Sequence, residues 1–474
     1  INAAMTPQDI LQLVQTQEIA YIDCCFQEFG GPWQHCTYSA AELTEASFTT
    51  GFGFDGSVIR GWQNLNESDL LLVPVAETAA IDPFRERPTL QMICDIKDPL
   101  TKKTFSRDPR SIARKAEAYL LDSGIADAAM FSPEVEFFVF DNVSYDQRKE
   151  AGHYRVDSAE GKWNRGSDSP VNLGQQIRGY EGYFPNAPAD SLANLRTHMT
   201  DLLEGMGVPI ECHHHEVATG GQCEIDPRAQ TLLASADTMM RLKYVVKNAA
   251  NRFGKTATFM PKPIHEDNGS GMHVHFSLRQ GDDSVFAGKK YAGLSQEGLW
   301  AVGGILKHAA SLLAFTNPTT NSYKRLVPGY EAPINLIYSS RNRSAAIRVP
   351  VYSNDVRTKR LELRFPDPSA NPYLAFAAIA MAALDGIQNR IEPDEPVDQD
   401  VELMDPMARA KLPTTPNGLD VALRALQADH DYLLQGDVFS KQLIRYWVDY
   451  KTESEVVPMA ARPHPYEFCM YYNV

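Results

Sequence analysis

The spacing of apolar and polar positions changes several times along the chain, and each change marks an element. Thr6-Pro7 sets a capping hydroxyl before a proline, the opening of a short helix. Residues 20–105 read as short strands and turns, with β-rich runs at 73–75 and 90–96. Asp108-Pro109 caps a helix that reaches Leu121 and is stopped by Gly124. Beyond it, strands and helices mix. Residues 131–140 predict a strand, and 191–204, 236–253 and 299–314 predict helices. Asn371-Pro372 caps an alanine-rich helix that is apolar on most faces and therefore buried. Residues 391–418, rich in Pro, Asp and Glu, read as an exposed loop, and helices over 419–434 and 441–451 close the chain. The pattern divides the chain into a small β-rich domain, residues 1–106, and a large mixed domain, residues 107–474.

Composition narrows the classes. A chain of 474 residues has room for two or more cores. Acidic residues outnumber basic ones by 60 to 45, a net charge of −15, which argues against general affinity for nucleic acid or anionic membrane. The longest apolar run at helical spacing, 374–384, is too short to span a bilayer. No basic stretch followed by an apolar run opens the chain, so no secretory signal is expected, and Met5 is expected to stand close to the original start. The seven cysteines, Cys24, Cys25, Cys36, Cys94, Cys212, Cys223 and Cys469, fit neither a zinc knuckle nor a small disulfide scaffold. They read as reduced thiols of a cytoplasmic protein.

Candidate chemistry is densest in the stretch 262–277. Asn268-Gly269 and Ser270-Gly271 let the backbone turn sharply or lie close to a ligand. Strand alternation after them sets His273 and His275 on one face, either as paired ligands or as two histidines on a wet surface. The same alternation pairs Glu134 with Glu136, a solvated strand face or half of a cation site. The run 211–216, Glu-Cys-His-His-His-Glu, invites zinc, but its partners, Glu224 included, are mostly glutamates. Oxygen-rich sets suit Mg²⁺ or Mn²⁺. In Arg360-Leu-Glu362-Leu-Arg364, a carboxylate stands between two guanidiniums. Glu134, Glu136, Glu216, Glu224, Glu362 and His273 together make a set able to hold divalent ions. Seven arginines (325, 341, 343, 348, 357, 360 and 364) crowd 40 residues and suit phosphate or carboxylate. Two glycine motifs fail on context. Gly51-x-Gly53-x-x-Gly56 precedes no helix start, and Gly254-Lys255-Thr256 would need its first glycine at Ala249, inside a helix.

The ordered blocks FDGS (54–57), NESD (66–69), PEVEFF (133–138), GYFP (182–185), HHHEVATGGQCE (213–224), RFGKTATFMPKP (252–263), NGSGMHVH (268–275), RNRSAAIR (341–348) and RFPDPSANPYL (364–374) resemble type I glutamine synthetase across nearly the whole chain. The resemblance implies an α+β chain: a β-grasp-like N-terminal domain and a large α/β catalytic domain. It implies ATP-dependent ligation of ammonia to L-glutamate through γ-glutamyl phosphate, with at least two Mg²⁺ or Mn²⁺ ions per site. Position by position, Glu136, Glu216 and Glu224 match one metal site, and Glu134, His273 and Glu362 the other. Asn268, Gly269, Arg325 and Arg364 match the glutamate site, with Glu331 beside them on a flap. Glu211, His275, Phe276, Ser277, Arg343, Arg348 and Arg357 match nucleotide and phosphate contacts, the last across an extra residue near Asn354. Asp55, Tyr183, Glu216 and Glu331 match the ammonium pocket, and Asp55, Glu331 and Arg343 are the catalytic set. A dodecamer of two six-membered rings is implied, each site taking Asp55 from a neighbouring subunit.

Three positions depart from the family pattern. Val58 stands where a second serine is usual, which leaves a γ-glutamyl ligase for another amine as the alternative; a catalytically dead structural or regulatory relative is the remaining one. His265-Glu266 replaces the commoner Phe-Gly. Met404 falls where some bacterial members carry an adenylylated tyrosine, so no adenylylation is expected there.

Overall fold

Two sheets organise the chain, and the second carries most of the charged side chains singled out above. The computed structural model describes residues 5–59, 69–166, 171–330, 332–352 and 355–474. Residues 66–68, Glu331 and Asn354, together with the side chain of Val58, lie outside the described residues.

The helix Pro7–Thr16 starts as its sequence dictates. The Thr6 hydroxyl accepts from Asp9 N, and the Asp9 carboxylate accepts from Thr6 N. The first sheet follows: β1 (Tyr21–Gln27), β2 (Trp33–Ser39), β3 (Phe52–Asp55), β4 (Asp69–Pro74), β5 (Ala80–Ile81) and β6 (Thr89–Lys97). Its order is β2-β1-β6-β4-β3, with β5 beside β6, and only β1 and β6 pair in parallel. β3 is an edge strand, and the exposed Asp55 ends it.

The helix Pro109–Ser123 is capped by Asp108 and ended by a left-handed Gly124. Its buried Arg110 joins the first sheet to the long helix Leu232–Arg252. The guanidinium donates to Asp95 of β6 at 2.6 Å and to both oxygens of Asp237 at 3.0 and 2.8 Å. Such a charge network is tolerated in an interior because every oxygen finds a donor. Asp95 takes two further bonds from Arg114, and Asp237 one from the Tyr373 hydroxyl.

β7 (Ala128–Phe140), thirteen residues long, is the spine of the second sheet. β8 (Asn142–Gln147) and β9 (Gly152–Asp157) form a separate hairpin. The other strands are β10 (Ile210–His215), β11 (Gln222–Pro227), β12 (Gln230–Thr231), β13 (Thr256–Thr258), β14 (Met272–Gln280), β15 (Asp283–Ser284), β16 (Asn335–Ser339), β17 (Ala345–Arg348) and β18 (Leu361–Leu363). The order is β10-β11-β7-β14-β18-β17-β16, with β12 and β13 on β7 and β15 on β14; only β16 and β17 pair in parallel. Phe131, Val135 and Phe137 of β7 enter the core. There Phe131 stacks on Phe376 of the helix Pro372–Gln388 at 4.8 Å. That helix is buried almost throughout, as its alanine-rich pattern predicts. The residues between them, Glu134 and Glu136, project to the opposite face.

Several predicted elements differ. The helix expected over 299–314 is two, Gln296–Lys307 and Ala309–Thr316, bent by 76°. At the bend the buried His308 donates to Asp385 (2.9 Å) and Asp429 (2.8 Å) and stacks on Tyr432, which fixes the ring and the break together. The helix expected from 236 starts at Leu232, because β12 delivers the chain directly into it. The expected loop 391–418 is partly packed: Val401 is buried against Ile337 and Ala345, and Asp405 caps a turn at Pro406–Arg409. The helix expected over 419–434 ends at Ala428. Among the described residues no single helix is long and apolar enough to cross a membrane.

Candidate active site

Cross-strand register sets the charged side chains in one row. His214 of β10 lies opposite Glu224 of β11, and Glu224 opposite Glu136 of β7. Glu134 of β7 lies opposite His273 of β14, His275 opposite Glu362 of β18, and Glu362 opposite Arg348 of β17. Six neighbouring strands therefore contribute to one sheet face. Two triads of donor atoms result, Glu134–His273–Glu362 and Glu136–Glu216–Glu224, the atoms of each within 4.8 Å of one another. Both sets are those picked out in the sequence.

The two triads are charged differently. Burial works against ionisation of Glu134, but His273 at 3.2 Å and His275 at 2.6 Å outweigh it, and the carboxyl stays well below its ordinary value. Burial is likewise outweighed at Glu362, held low chiefly by Arg364 and also by His275. Its oxygens accept from Arg364 (2.5 Å) and Arg348 (2.8 Å). The second triad is less fully compensated: His214 lies 3.5 Å from Glu216 and 3.3 Å from Glu224, and His273, Arg325 and Arg364 offset the burial of Glu136 only in part. Burial pushes Glu136 up, and burial with the nearby Asp226, Glu216 and Glu136 pushes Glu224 well up. Three buried carboxylates this close are all ionised together only around a cation. Five carboxylates and one imidazole are the donors of a hard divalent ion, so the residues present fit Mg²⁺ or Mn²⁺.

The glycine loop lies against this row. A Cβ on Gly271 would fall 2.6 Å from Arg325 Nη2 and 3.1 Å from His273 Nε2, so only glycine lets the loop pass. Gly271 N donates to Glu136 Oε2 at 2.8 Å. Arg325 is fixed by the carbonyls of Phe365 (2.9 Å) and Arg364 (3.0 Å), and Arg364 by the carbonyl of Arg343 (2.9 Å). Asn268 Oδ1 and Ser270 Oγ are buried without a hydrogen-bond partner. Polar atoms buried this way ordinarily find partners, so the pair points to a ligand.

Comparison with known proteins settles the family. A model of the glutamine synthetase catalytic domain matches residues 106–471, and one of the glutamine synthetase β-grasp domain matches residues 18–99. The chain belongs to the glutamine synthetase family. The glutamine synthetases of Microchaete diplosiphon and Aquifex aeolicus are 52% and 50% identical to it, each alignment covering 99% of both chains. A Plasmodium falciparum glutamine synthetase structure matches with a TM-score of 0.90 at 26% identity, over 99% of each chain. A GmaS–ADP complex matches with a TM-score of 0.82 at 25% identity, over 99% of this chain and 100% of that one. Membership implies ATP, a divalent metal, glutamate and ammonium.

Within this glutamine synthetase fold the remaining candidate residues fall into two groups, with Glu331 outside both. His275 and Arg348 join the row, the imidazole of His275 lying between Glu134 and Arg360 Nε (3.0 Å). Tyr183 faces it: its ring meets His214 edge-on at 5.4 Å, and burial with Glu216 and Glu224 pushes its hydroxyl up to about 12. Ser277 is buried on β14, and Glu211 and Arg343 are exposed. A second group stands apart. The Phe276 side chain is wholly in the core against Phe131 and Phe286, so it does not face the row. Arg357 is exposed and paired with Asp355. Asp55 accepts from the hydroxyl and amide of Ser57, which lower its carboxyl, and it sits on the edge of the other sheet. Glu331 belongs to neither group, being outside the described residues.

Sequence reasoning missed several parts of the site. Gln222 Nε2 donates to Glu136 Oε2 (3.0 Å) and to the Gly269 carbonyl (2.9 Å), linking a triad to the glycine loop. Asp267 accepts from the amide and hydroxyl of Thr219 and so holds the loop from behind. Arg360 was visible as the guanidinium on the same face as Glu362, and Asp226 as the second residue beyond Glu224 on its strand face. His214 was visible in the histidine run, but only the register tells which of the three points inward.

Proposed function

We propose that the protein joins ammonia to the γ-carboxylate of L-glutamate, coupled to ATP cleavage, giving L-glutamine, ADP and phosphate through γ-glutamyl phosphate. The observation that carries this reading is the pair of carboxylate-rich triads side by side on one sheet face, next to a glycine loop with buried, unpaired polar atoms. A carboxylate is a poor acyl donor, and phosphorylation supplies the leaving group that ammonia displaces.

Glu134, His273 and Glu362 would hold one divalent ion, Mg²⁺ or Mn²⁺, and Glu136, Glu216 and Glu224 another. Ions there would supply positive charge to offset that of the transferring phosphoryl group. Asn268 Oδ1 offers an acceptor to the α-ammonium of glutamate, with Gly269 giving backbone access. Arg325 and Arg364 answer its carboxylates. The backbone around Phe276, with Glu211, His275, Ser277, Arg343, Arg348 and Arg357, orients the nucleotide. Tyr183, Glu216, Asp55 and Glu331 surround ammonium, Asp55 takes its proton, and Glu331 closes the site against water. Asp55 ends an exposed edge strand of the other sheet, so we assign it to the site of a neighbouring subunit in a closed ring. Two stacked six-membered rings make the working dodecamer.

Phosphate release from ATP and Mg²⁺, with glutamate and with or without ammonium, tests the proposal alongside product identification. Ammonium-dependent release with glutamine formed is expected. Release with another amine in preference to ammonia would overturn the acceptor, and silence from an intact oligomer would overturn the activity.

A further inference from the structure

Beside the two triads, β10 and β11 carry three donors, Cys212, His214 and Asp226, to which the proposed reaction gives no role, next to the shared Glu224. The antiparallel register sets Cys212 opposite Asp226 and His214 opposite Glu224. Residues two apart share a strand face, so the four side chains face one way and outline a box whose Cys212 corner is joined to the rest through Asp226. Cys212 Sγ donates to Asp226 Oδ2 at 3.0 Å, and His214 Nε2 lies 3.3 Å from Glu224 Oε1. One donor atom each from His214, Glu224 and Asp226 falls within 4.8 Å of the others. Asp226 Oδ1 is buried with no hydrogen-bond partner, an unmet demand beside the box. His214 Nδ1 donates to the His215 carbonyl at 3.1 Å, which places the proton there and leaves Nε2 a free lone pair.

A thiol, an imidazole and two carboxylates are ligand types of zinc, and softer than either triad. We infer that Cys212, His214, Glu224 and Asp226 form a third cation site, selective for a thiophilic divalent ion of the Zn²⁺ and Co²⁺ class over Mg²⁺. On binding, the Cys212 proton is released to solvent and a sulfur–metal bond forms; no redox change is involved. Glu224 belongs both to this box and to the Glu136–Glu216 triad. An ion in the box draws Glu224 toward His214 and weakens the neighbouring triad, so the site is inhibitory. The binding claim stands on the box alone, whereas the inhibitory consequence rests on the reading of the triads given above.

Cobalt separates the two. The full-length oligomer, with thiols reduced and Mg²⁺ saturating, is titrated with Co²⁺ while the near-ultraviolet thiolate-to-cobalt absorption is read. A band that saturates at a single equivalent per chain is expected. It should vanish in Cys212→Ala, whose exposed side chain can be removed without opening the core. In Asp226→Asn, Co²⁺ affinity should fall about ten- to a hundredfold. No band in the unmodified protein, or a band undiminished in Cys212→Ala, would overturn the site. Zn²⁺ should inhibit Mg²⁺-dependent turnover of the unmodified enzyme and spare Cys212→Ala. Equal inhibition of both, with the band present, would overturn the inhibitory role and leave the site standing.

Discussion

Replacing Gln222 by leucine tests whether the glycine loop and the second triad act as a unit. Gln222 is 1% exposed and uses both ends of its amide. Nε2 donates to Glu136 Oε2 (3.0 Å) and to the Gly269 carbonyl (2.9 Å), and Oε1 accepts from Ala218 N (3.0 Å). Leucine keeps the bulk and removes all three bonds. Glu136 retains one donor on that oxygen, Gly271 N at 2.8 Å, so the carboxylate is loosened rather than freed. Losing one orienting partner of a metal ligand weakens metal binding about ten- to a hundredfold, or about 1.4–2.8 kcal/mol at about 1.4 kcal/mol per tenfold. The stranded Gly269 carbonyl and Ala218 amide add a stability cost of about 1–3 kcal/mol each. The assay is ammonium-dependent phosphate release at saturating ATP and glutamate, titrated with free Mg²⁺, beside a melting curve. Half-saturating Mg²⁺ should rise about ten- to a hundredfold, and kcat should return nearly to normal at saturation. An unchanged Mg²⁺ requirement in a folded oligomer would refute the coupling. A kcat loss that no Mg²⁺ concentration restores would place Gln222 on the substrate side instead.

Other expectations follow from the same geometry. Glu224→Gln removes a charge from a repelling triad, so the metal-free protein should melt higher than the unmodified one while Mg²⁺ stabilises it less; a lower metal-free melting temperature would contradict the repulsion. Asp55→Asn should cut turnover about 10²–10⁴-fold, as loss of a proton acceptor does. Mixed oligomers of Asp55→Asn and Glu362→Gln should regain activity, since some sites then pair two intact contributions; mixtures as dead as their parents would place Asp55 within its own subunit's site. Burial opposes protonation of His308, but Asp385 and Asp429 outweigh it and raise its pKa; Lys307 and Tyr432 are its other titratable neighbours. A raised folded value means the stabilisation is complete below about 6.5, the unfolded value, and is lost as pH climbs through the folded one. The melting-temperature gap between the unmodified protein and His308→Gln should therefore be widest near pH 6 and close as pH rises; a gap that grew would reverse the assignment.

What the sequence made legible was local. Thr6-Pro7, Asp108-Pro109 and Asn371-Pro372 each announce a helix through a cap that needs no tertiary partner, and all three start where expected. Alternation placed Glu134 with Glu136 and His273 with His275 correctly, because a strand's faces are fixed by its own pleat. What stayed hidden depends on distant partners. The break at His308 is set by Asp385 and Asp429, the latter over a hundred residues away, while the local sequence reads as unbroken helix. Gln222 looks like an ordinary polar residue until β11 is laid beside β7. Asp226 shares a strand face with Glu224 by alternation, but only the cross-strand register sets it against Cys212. Arg357, with Asp355 two residues away, finds its partner locally, a competition that motif matching does not weigh.

The distribution of the row along the chain also sets a timetable for its birth on the ribosome. Glu136, Glu216 and Glu224 have all been synthesised once β11 is made, and β10, β11 and β7 are already neighbours in the sheet order. Glu134 and His273 must wait for Glu362, about 140 residues later, roughly ten to thirty seconds of translation. The repelling triad thus exists first, in a nascent chain whose counter-charged arginines, Arg325 and Arg364, have yet to emerge. A cation captured at that stage would hold β11 against β7 while the rest of the sheet is still being written.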